Sequence, residues 1–242
     1  MSRNTYSWAV ETGRWRCEVR STGVADGSFA LLDPWPDVER RRLELTGTAW
    51  TLLRQVHGTR VVSVSAPGDA SGIEADGACT FEPSVPVAVT TADCAPVVMV
   101  GSTGVAVVHA GWRGALDGII ETAARVLADG GAVPVETLLG PCIGPSAYEF
   151  GAADLADIVA VFGPAVIGRT ATGSPALDLP AVVSIACERA GWPAPPRPPC
   201  TSDPRYFSHR VRGDTGRQAT VAWLEPSAVG PHAATSTVAR SR

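Results

Sequence analysis

The sequence predicts an α/β fold, more closely an α+β arrangement, in which helices pack on the core of a mixed β-sheet. Short apolar runs separated by turn residues fill the middle of the chain, and a strongly amphipathic segment covers residues 114–129. Several short strands joined by short turns favour a mixed or antiparallel sheet. With 242 residues, 45% of them hydrophobic, the chain can bury a substantial core as one large domain. We therefore predict one catalytic domain over residues 1–225 and a disordered tail over 226–242, a segment that is small, polar and aperiodic.

The strands are predicted from alternation and from apolar runs. The run G-V-A-V-V-H at 104–109 has no polar position before its end, which indicates a strand buried on both faces. Further strands are predicted over residues 14–20, 49–56, 61–65, 86–91, 95–100 and 136–141. The stretch R-Y-F-S-H-R and residues 218–224 flank a G-D-T-G turn, so we predict that they form a final hairpin.

The helices are predicted from periodicity. Apolar residues recur at i, i+3, i+4 and i+7 over 114–129 and form one face, namely Leu116, Ile119, Ile120, Ala123, Val126 and Leu127. Shorter helices are predicted over residues 38–45, 152–162 and 178–190. The proline-rich segment 192–200 cannot form a regular helix, and we predict an extended connector there.

Charge and cysteine usage limit the partners and the compartment. The formal net charge is −4, so neither nucleic acid nor an anionic membrane surface is expected as a partner. The N-terminus lacks the apolar core of a signal peptide, and no apolar stretch reaches the roughly 18 residues of a membrane span. The six cysteines are irregularly spaced and read as reduced thiols. We expect a cytoplasmic protein that acts on a small molecule as a monomer or weak dimer.

All 20 basic residues are arginine, and the chain has no lysine. This absence excludes a Walker A phosphate loop, a pyridoxal Schiff base and a Ser–Lys dyad. Any phosphate must therefore be held by arginine, backbone N–H groups, histidine or a metal ion.

Three candidate metal ligands occupy predicted strand ends: His57 in Q-V-H-G, Cys94 in T-A-D-C and His109 in V-H-A-G-W-R-G. Two imidazoles and one thiolate suit zinc, and three protein ligands leave a fourth position open. The separations of 37 (94 − 57) and 15 (109 − 94) residues match no compact metal motif. Cys94 can also be a packed apolar residue, or a nucleophile with His109 as its base. Asp93 would then be a third member of that set, or a carboxylate that orients a ligand histidine.

A longer series of motifs narrows these alternatives. In chain order they are Q-V-H-G, A-D-G, T-A-D-C-A-P, H-A-G-W-R-G, L-G-P-C-I-G-P-S-A-Y-E-F-G and F-S-H-R-x-x-G-x-T-G-R-Q-A, between about Arg20 and Leu224. The series resembles the YfiH-type family, whose members are labelled polyphenol oxidase/laccase domain or purine nucleoside phosphorylase. The resemblance implies an α/β fold and a zinc ion held by His57, Cys94 and His109. It also implies phosphorolysis of adenosine, inosine and methylthioadenosine, with adenosine deamination as a side activity.

For such a reaction we predict a catalytic set of Cys94, His109, Asp93 and Arg113, with zinc and Arg113 holding the phosphate. The predicted further contacts to substrate or phosphate are Arg20, Gln55, Asp76, His209 and Arg210, with Arg217 behind them. The region 20–33 lacks the T-R-x-G-G-V-S and S-L-N-L-G segments that the family usually carries. Substrate choice is therefore expected to depend on this divergent loop.

Three other functions are compatible with the motifs. A copper-dependent, laccase-like polyphenol oxidase would need many histidines, whereas the chain has four, none close to another in sequence. Copper could still occupy the same His/Cys site. A cysteine-nucleophile amidase or hydrolase acting on peptidoglycan precursors would need Cys94 free, because a zinc-bound thiolate is a poor nucleophile. An inactive family member would have no physical reason to keep all three ligands.

Overall fold

Eleven strands and six helices are defined in the computed structural model, which describes residues 6–227. The strands are β1 (Tyr6–Glu11), β2 (Trp15–Ser21), β3 (Val61–Ser63), β4 (Gly77–Thr80), β5 (Val87–Thr91), β6 (Ala95–Gly101), β7 (Val105–Ala110), β8 (Pro134–Leu139), β9 (Ile167–Arg169), β10 (Pro175–Leu177) and β11 (Gln218–Pro226). The helices are α1 (Trp35–Thr46), α2 (Trp112–Leu116), α3 (Ile119–Asp129), α4 (Ala152–Phe162), α5 (Leu179–Arg189) and α6 (His209–Arg212). In the part of the chain that the structure describes, no helix has the length and apolar character needed to cross a membrane.

Two sheets lie face to face between layers of helices. One is four-stranded and antiparallel, in the order β1-β2-β11-β5, and the other has the order β3-β4-β7-β6-β8. In the second sheet β3 runs parallel to β4 and the remaining pairs are antiparallel. Helix α1 covers the outer face of the four-stranded sheet, and α3, α4 and α5 cover the outer face of the five-stranded sheet. The predicted α/β domain with a mixed sheet is confirmed.

Alternation along the central strands explains this layering. In β6, Val97 and Met99 face the helices, whereas Val98 and Val100 face the opposite sheet. Every residue of β6 and β7 is buried, as the apolar run at 104–109 predicts. These two strands therefore form a rigid centre from which the site residues project.

The predicted helix over 114–129 is two helices, α2 and α3. The break falls at Gly118, whose φ of +94° lies in the left-handed region that glycine adopts without a Cβ penalty. After the break, Ile119, Ile120, Ala123 and Leu127 form the buried face of α3, as predicted.

The predicted strand over 49–56 is wrong. Its side chains Trp50, Leu52 and Leu53 are buried, which gives the segment its strand-like pattern. Its backbone, however, bonds to an irregular neighbour: Gly72 N–H donates to Leu52 O, and Arg54 N–H to Ile73 O. Only a single β-bridge forms in this segment. Its apolar pattern therefore results from burial and not from pairing with a neighbouring strand.

The predicted final hairpin is also wrong. Residues 209–212 form the short helix α6. Ser208 caps the start of this helix, since its side-chain oxygen accepts the Val211 N–H at 3.1 Å. Strand β11 pairs with β2 and β5 instead, closing the four-stranded sheet with the C-terminal part of the chain. Strands β1, β4, β9 and β10 were not predicted, and most of the predicted tail, from residue 228 onward, lies outside the described residues.

Candidate metal centre

The three predicted ligands converge at one end of the two sheets. One ligand atom from each of His57, Cys94 and His109 lies within 4.8 Å of the other two. The Cys94 Sγ is 3.7 Å from the His57 Nε2. Within residues 6–227 no other group of three His, Cys, Asp or Glu side chains comes together in this way. Residues 37 and 15 positions apart in sequence thus form one compact donor set.

Sheet topology brings Cys94 and His109 together. Cys94 ends the turn that leads from β5 in one sheet to β6 in the other. His109 is the penultimate residue of β7 and pairs in register with Pro96, two residues beyond Cys94. His57 does not end a strand: it lies in a bend with φ +62°, which for a residue other than glycine costs about 1–3 kcal/mol.

Asp76 holds the two histidines in place. Its fully buried carboxylate accepts the His109 Nδ1–H at 2.8 Å and the backbone N–H groups of Val56, His57 and Gly58 at 3.1, 2.9 and 2.8 Å. Burial alone would raise the pKa of Asp76, but the His109 and backbone hydrogen bonds outweigh it and lower that pKa. The predicted contact of Asp76 with substrate is wrong, because its oxygens are committed to these donors and it does not line the cavity. Its role is to orient a ligand histidine.

Asp93 is a structural hub rather than a partner of the histidines. Its carboxylate accepts hydrogen bonds from the Thr201 and Ser208 hydroxyls and from the Arg210 backbone N–H, each at 2.6 Å. The residue has φ +95°, and these bonds stabilise that strained turn beside Cys94. Asp93 thereby ties the Cys94 turn to the start of α6. The orienting carboxylate that was considered for Asp93 is Asp76.

The donor set is electrostatically prepared for a cation. Burial raises the pKa of the Cys94 thiol, but His109 and His57 oppose this and bring it down to about 6. Burial lowers the pKa of His109, whereas the Cys94 thiolate and Asp76 raise it to about 9. Without a metal, each charge thus favours the other, which promotes a thiolate–imidazolium pair, and a bound cation would displace the proton.

The residues fit a metal ion by the chemistry of their donors. The hydrogen bond from Nδ1 to Asp76 leaves the Nε2 of His109 as the ligand atom. Two imidazole nitrogens and one thiolate are donors for zinc and also for copper. Gly111 makes room for them: a Cβ at this position would lie 2.7 Å from His57 Cδ2 and 3.2 Å from Cys94 Sγ.

Gly111→Ala is expected to weaken metal binding about 10-fold or more, because the added methyl group must push one ligand out of place. The measurement is a competition titration with a chromophoric chelator. Gly131→Ala adds a methyl group in open space, although at φ +76°, and serves as the control for backbone strain alone. Equal metal affinity in Gly111→Ala and wild-type protein would contradict the close packing.

In metal-free protein, alkylation of Cys94 is expected to slow as the pH falls through about 6, because the reactive thiolate becomes protonated there. Zinc should protect the thiol at any pH at which the ion stays bound. Mass-spectrometric mapping separates Cys94 from Cys200, the other partly exposed cysteine. Rapid labelling of Cys94 in zinc-loaded protein would indicate that Cys94 is a free nucleophile and not a metal ligand.

A cavity of about 710 Å³ opens beside the three ligands, within the size range of small-molecule sites. Five of the predicted contacts line it: Arg113, Gln55, His209, Arg210 and Arg217. The Gln55 amide is also bonded to the Thr90 backbone, donating to its carbonyl and accepting its N–H, both at 2.8 Å.

Arg20 does not belong to this cavity. Its guanidinium donates to the Leu45 carbonyl and lies 5.2 Å from the Trp223 ring centre, beneath α1 on the far face of the four-stranded sheet. The predicted phosphate contact of Arg20 is therefore incorrect. It was proposed from a motif that this sequence carries only in part.

Sequence reasoning missed other cavity residues. Tyr148 lines the cavity and is part of the motif A-Y-E-F-G, so the signal was present. Leu31 and Leu32 line it as well, and Leu32 is 99% exposed. They lie in the divergent region 20–33, which places that loop where substrate selection would occur.

Solved structures share this architecture. YfiH of Bacillus licheniformis superimposes with a TM-score of 0.74 at 21% identity, covering 90% of this chain and 99% of that one. YlmD of Geobacillus stearothermophilus gives a TM-score of 0.72 at 25% identity, covering 88% and 97%. The molecule is thus a YfiH-type α/β protein with a candidate His-Cys-His metal centre.

Sequence comparison assigns the family. Residues 36–225 match the model described as multi-copper polyphenol oxidoreductase laccase. A Mycobacterium tuberculosis protein named purine nucleoside phosphorylase is 37% identical over 187 residues, 75% of this chain and 74% of the relative. A Xylella fastidiosa protein of the same name is 38% identical over 189 residues, 71% of each chain. The chain belongs to this laccase-domain family, the YfiH-type family that its motifs resemble.

Proposed function

We propose that this protein is a zinc-dependent purine nucleoside phosphorylase. It would convert adenosine, inosine or methylthioadenosine and phosphate to the free purine and the pentose 1-phosphate. The observation that carries the proposal is a His-Cys-His donor set opening onto the same cavity as Arg113, a cation without a carboxylate partner among the described residues. The names of relatives 37–38% identical to the chain support it.

The reaction makes two demands on the cavity. A phosphate oxygen attacks C1′ while the bond to the purine nitrogen breaks, so a dianion must be held in line and the departing purine must gain a proton. Arg113 and Arg210 supply positive charge without lysine. His109 cannot act as the acid, since one ring nitrogen bonds Asp76 and the other would bind the metal. His209, which lines the cavity outside the donor set, is the imidazole we assign to proton transfer.

We assign the metal as zinc. Bound zinc would supply a fixed positive charge beside the phosphate. The family description names copper, but the chain has four histidines, and of the three within residues 6–227 two reach the centre. Multi-copper sites need more imidazole ligands than this. Copper would bind the same donors tightly, which accounts for a copper-dependent polyphenol oxidation as a secondary property.

Release of the pentose 1-phosphate from adenosine, with and without inorganic phosphate, tests the proposal. We expect base release to depend on phosphate and to disappear when zinc is removed by a chelator and return on its addition. Base release independent of phosphate would identify a hydrolase instead. Formation of inosine in phosphate-free buffer tests adenosine deamination, which we propose as a side activity of the same cavity.

A further inference from the structure

Three aromatic rings form a continuous row beside the candidate metal centre. The Trp112 and Phe150 rings are 5.4 Å apart at 88°, and the Phe150 and Tyr148 rings are 5.2 Å apart at 78°. Both are edge-to-face contacts, a favourable geometry for aromatic pairs. We call Trp112, Phe150 and Tyr148 the aromatic row. It joins α2 to the segment that precedes α4.

A guanidinium group lies over each end of the aromatic row. The Arg113 Cζ is 4.2 Å from the centre of the Trp112 ring, and the Arg210 Cζ is 5.1 Å from the centre of the Tyr148 ring. Such cation–π contacts restrict the arginine side chains without neutralising their charge. Both arginines line the cavity.

Neither charge is compensated by a carboxylate among residues 6–227. The Arg113 guanidinium has no hydrogen-bond or ion-pair partner there, and the Arg210 guanidinium donates only to the Glu149 carbonyl, at 3.2 Å. Seven other arginines of the described chain form ion pairs with Asp or Glu: Arg16, Arg40, Arg42, Arg54, Arg197, Arg205 and Arg212. Three arginines line the cavity. Arg217 donates to the backbone carbonyls of residues 214–216, whereas Arg113 and Arg210 are available to an anionic ligand.

Tyr148 adds a neutral donor to the same cavity. The residue is only 7% exposed, it lines the cavity, and its hydroxyl has no hydrogen-bond partner within the described residues. Burial raises its pKa, so the hydroxyl stays protonated at neutral pH and can donate. Because Tyr148 lines the cavity, a ligand bound there can accept the hydrogen bond of this hydroxyl.

We propose that Arg113, Tyr148 and Arg210 form the subsite for inorganic phosphate. The two guanidiniums bind the dianion through charge-assisted hydrogen bonds, the phenol donates a third, and the aromatic row fixes their spacing. This inference rests on the proposed phosphorolysis and adds the subsite to it. It assigns to Tyr148 a substrate contact that its apolar surroundings alone would not suggest.

Arg113→Gln, Arg210→Gln and Tyr148→Phe test the subsite in zinc-loaded protein. We expect the KM for phosphate to rise about 10-fold or more in each arginine variant and about 3-fold or more in Tyr148→Phe. The KM for the nucleoside and the zinc content should stay within about 2-fold of wild type. Arg125→Gln is the matched control, since Arg125 is exposed on α3 and does not line the cavity.

Phosphate binding followed by 31P NMR line broadening gives a readout independent of turnover. Wild-type protein that binds phosphate but does not carry out phosphorolysis, with binding lost in Arg113→Gln, would refute the proposed function and support the subsite. Active enzyme with an unchanged phosphate KM in all three variants would overturn the subsite and leave the function intact.

Discussion

Replacing His109 by alanine is expected to remove the bound zinc and lower phosphorolysis more than about 100-fold. Loss of a residue that only orients a metal ligand lowers metal affinity about 10- to 100-fold, and loss of a direct ligand lowers it more. His109 is 4% exposed, and among the described residues the other imidazole of the donor set is His57, which we assign as a ligand itself. Metal content after gel filtration and the rate of pentose 1-phosphate release are the measurements.

His209→Ala is the matched control for this prediction. His209 lines the same cavity but lies outside the donor set, so its loss should leave zinc content unchanged even if turnover falls. A His109→Ala variant with one zinc per chain and wild-type activity would refute the metal centre. The same substitution at His57 should reproduce the loss of zinc.

Asp76→Ala is expected to lower the free energy of unfolding by about 3–5 kcal/mol in the metal-free protein. The buried carboxylate accepts hydrogen bonds from His109 and from three backbone N–H groups, and alanine leaves those buried donors unpaired. Zinc affinity should fall as well, because His109 and the His57 bend lose the group that holds both. Urea denaturation gives the stability, and chelator competition gives the affinity.

Asp69→Ala is the control for removing a carboxylate, since Asp69 is exposed and its carboxylate accepts only local hydrogen bonds, from the Ser65 hydroxyl and the Ala66 N–H. Its stability should change by less than about 1 kcal/mol.

The pKa of Asp76 is lowered, so its charged form contributes stability above the ordinary pKa of 3.8. The difference between wild type and Asp76→Asn should therefore shrink as the pH falls below that value. A constant difference down to pH 2 would show that the charge of Asp76 contributes nothing.

Local patterns predicted most of the regular elements well. The strands β5, β6 and β7 and the helices α4 and α5 follow from apolar runs and periodicity, which depend on neighbours a few residues apart. Gly118 was overlooked because a single glycine is tolerated within a helical pattern, and only its φ of +94° reveals the break. Residues 49–56 were misread because burial without a partner strand gives the same apolar pattern as a strand.

The residues of the candidate site also divide into those that local motifs predict and those whose role depends on tertiary contacts. The motifs around His57, Cys94 and His109 predicted these residues as metal ligands, and the structure brings their side chains together. The sequence indicated both Asp76 and Asp93 as carboxylates that could orient a ligand histidine. It could not decide between them, because the partners of Asp76 lie 18 to 33 residues away and His109 reaches it through the pairing of β4 with β7. The displacement of Arg20 from the cavity likewise depends on the position of α1.

By itself, then, the sequence determined the chemistry that is available: a soft donor set, arginine as the sole basic residue apart from histidine, and an α/β framework. Only the tertiary structure decided which groups share one cavity. It placed Tyr148 at the same cavity as Arg113 and Arg210, and it gave the carboxylates of Asp93 and Asp76 hydrogen-bond donors from distant parts of the chain. The reason is physical. Donor types and periodicity are local properties, whereas hydrogen bonds and aromatic contacts between residues far apart in sequence form only when the two sheets pack together.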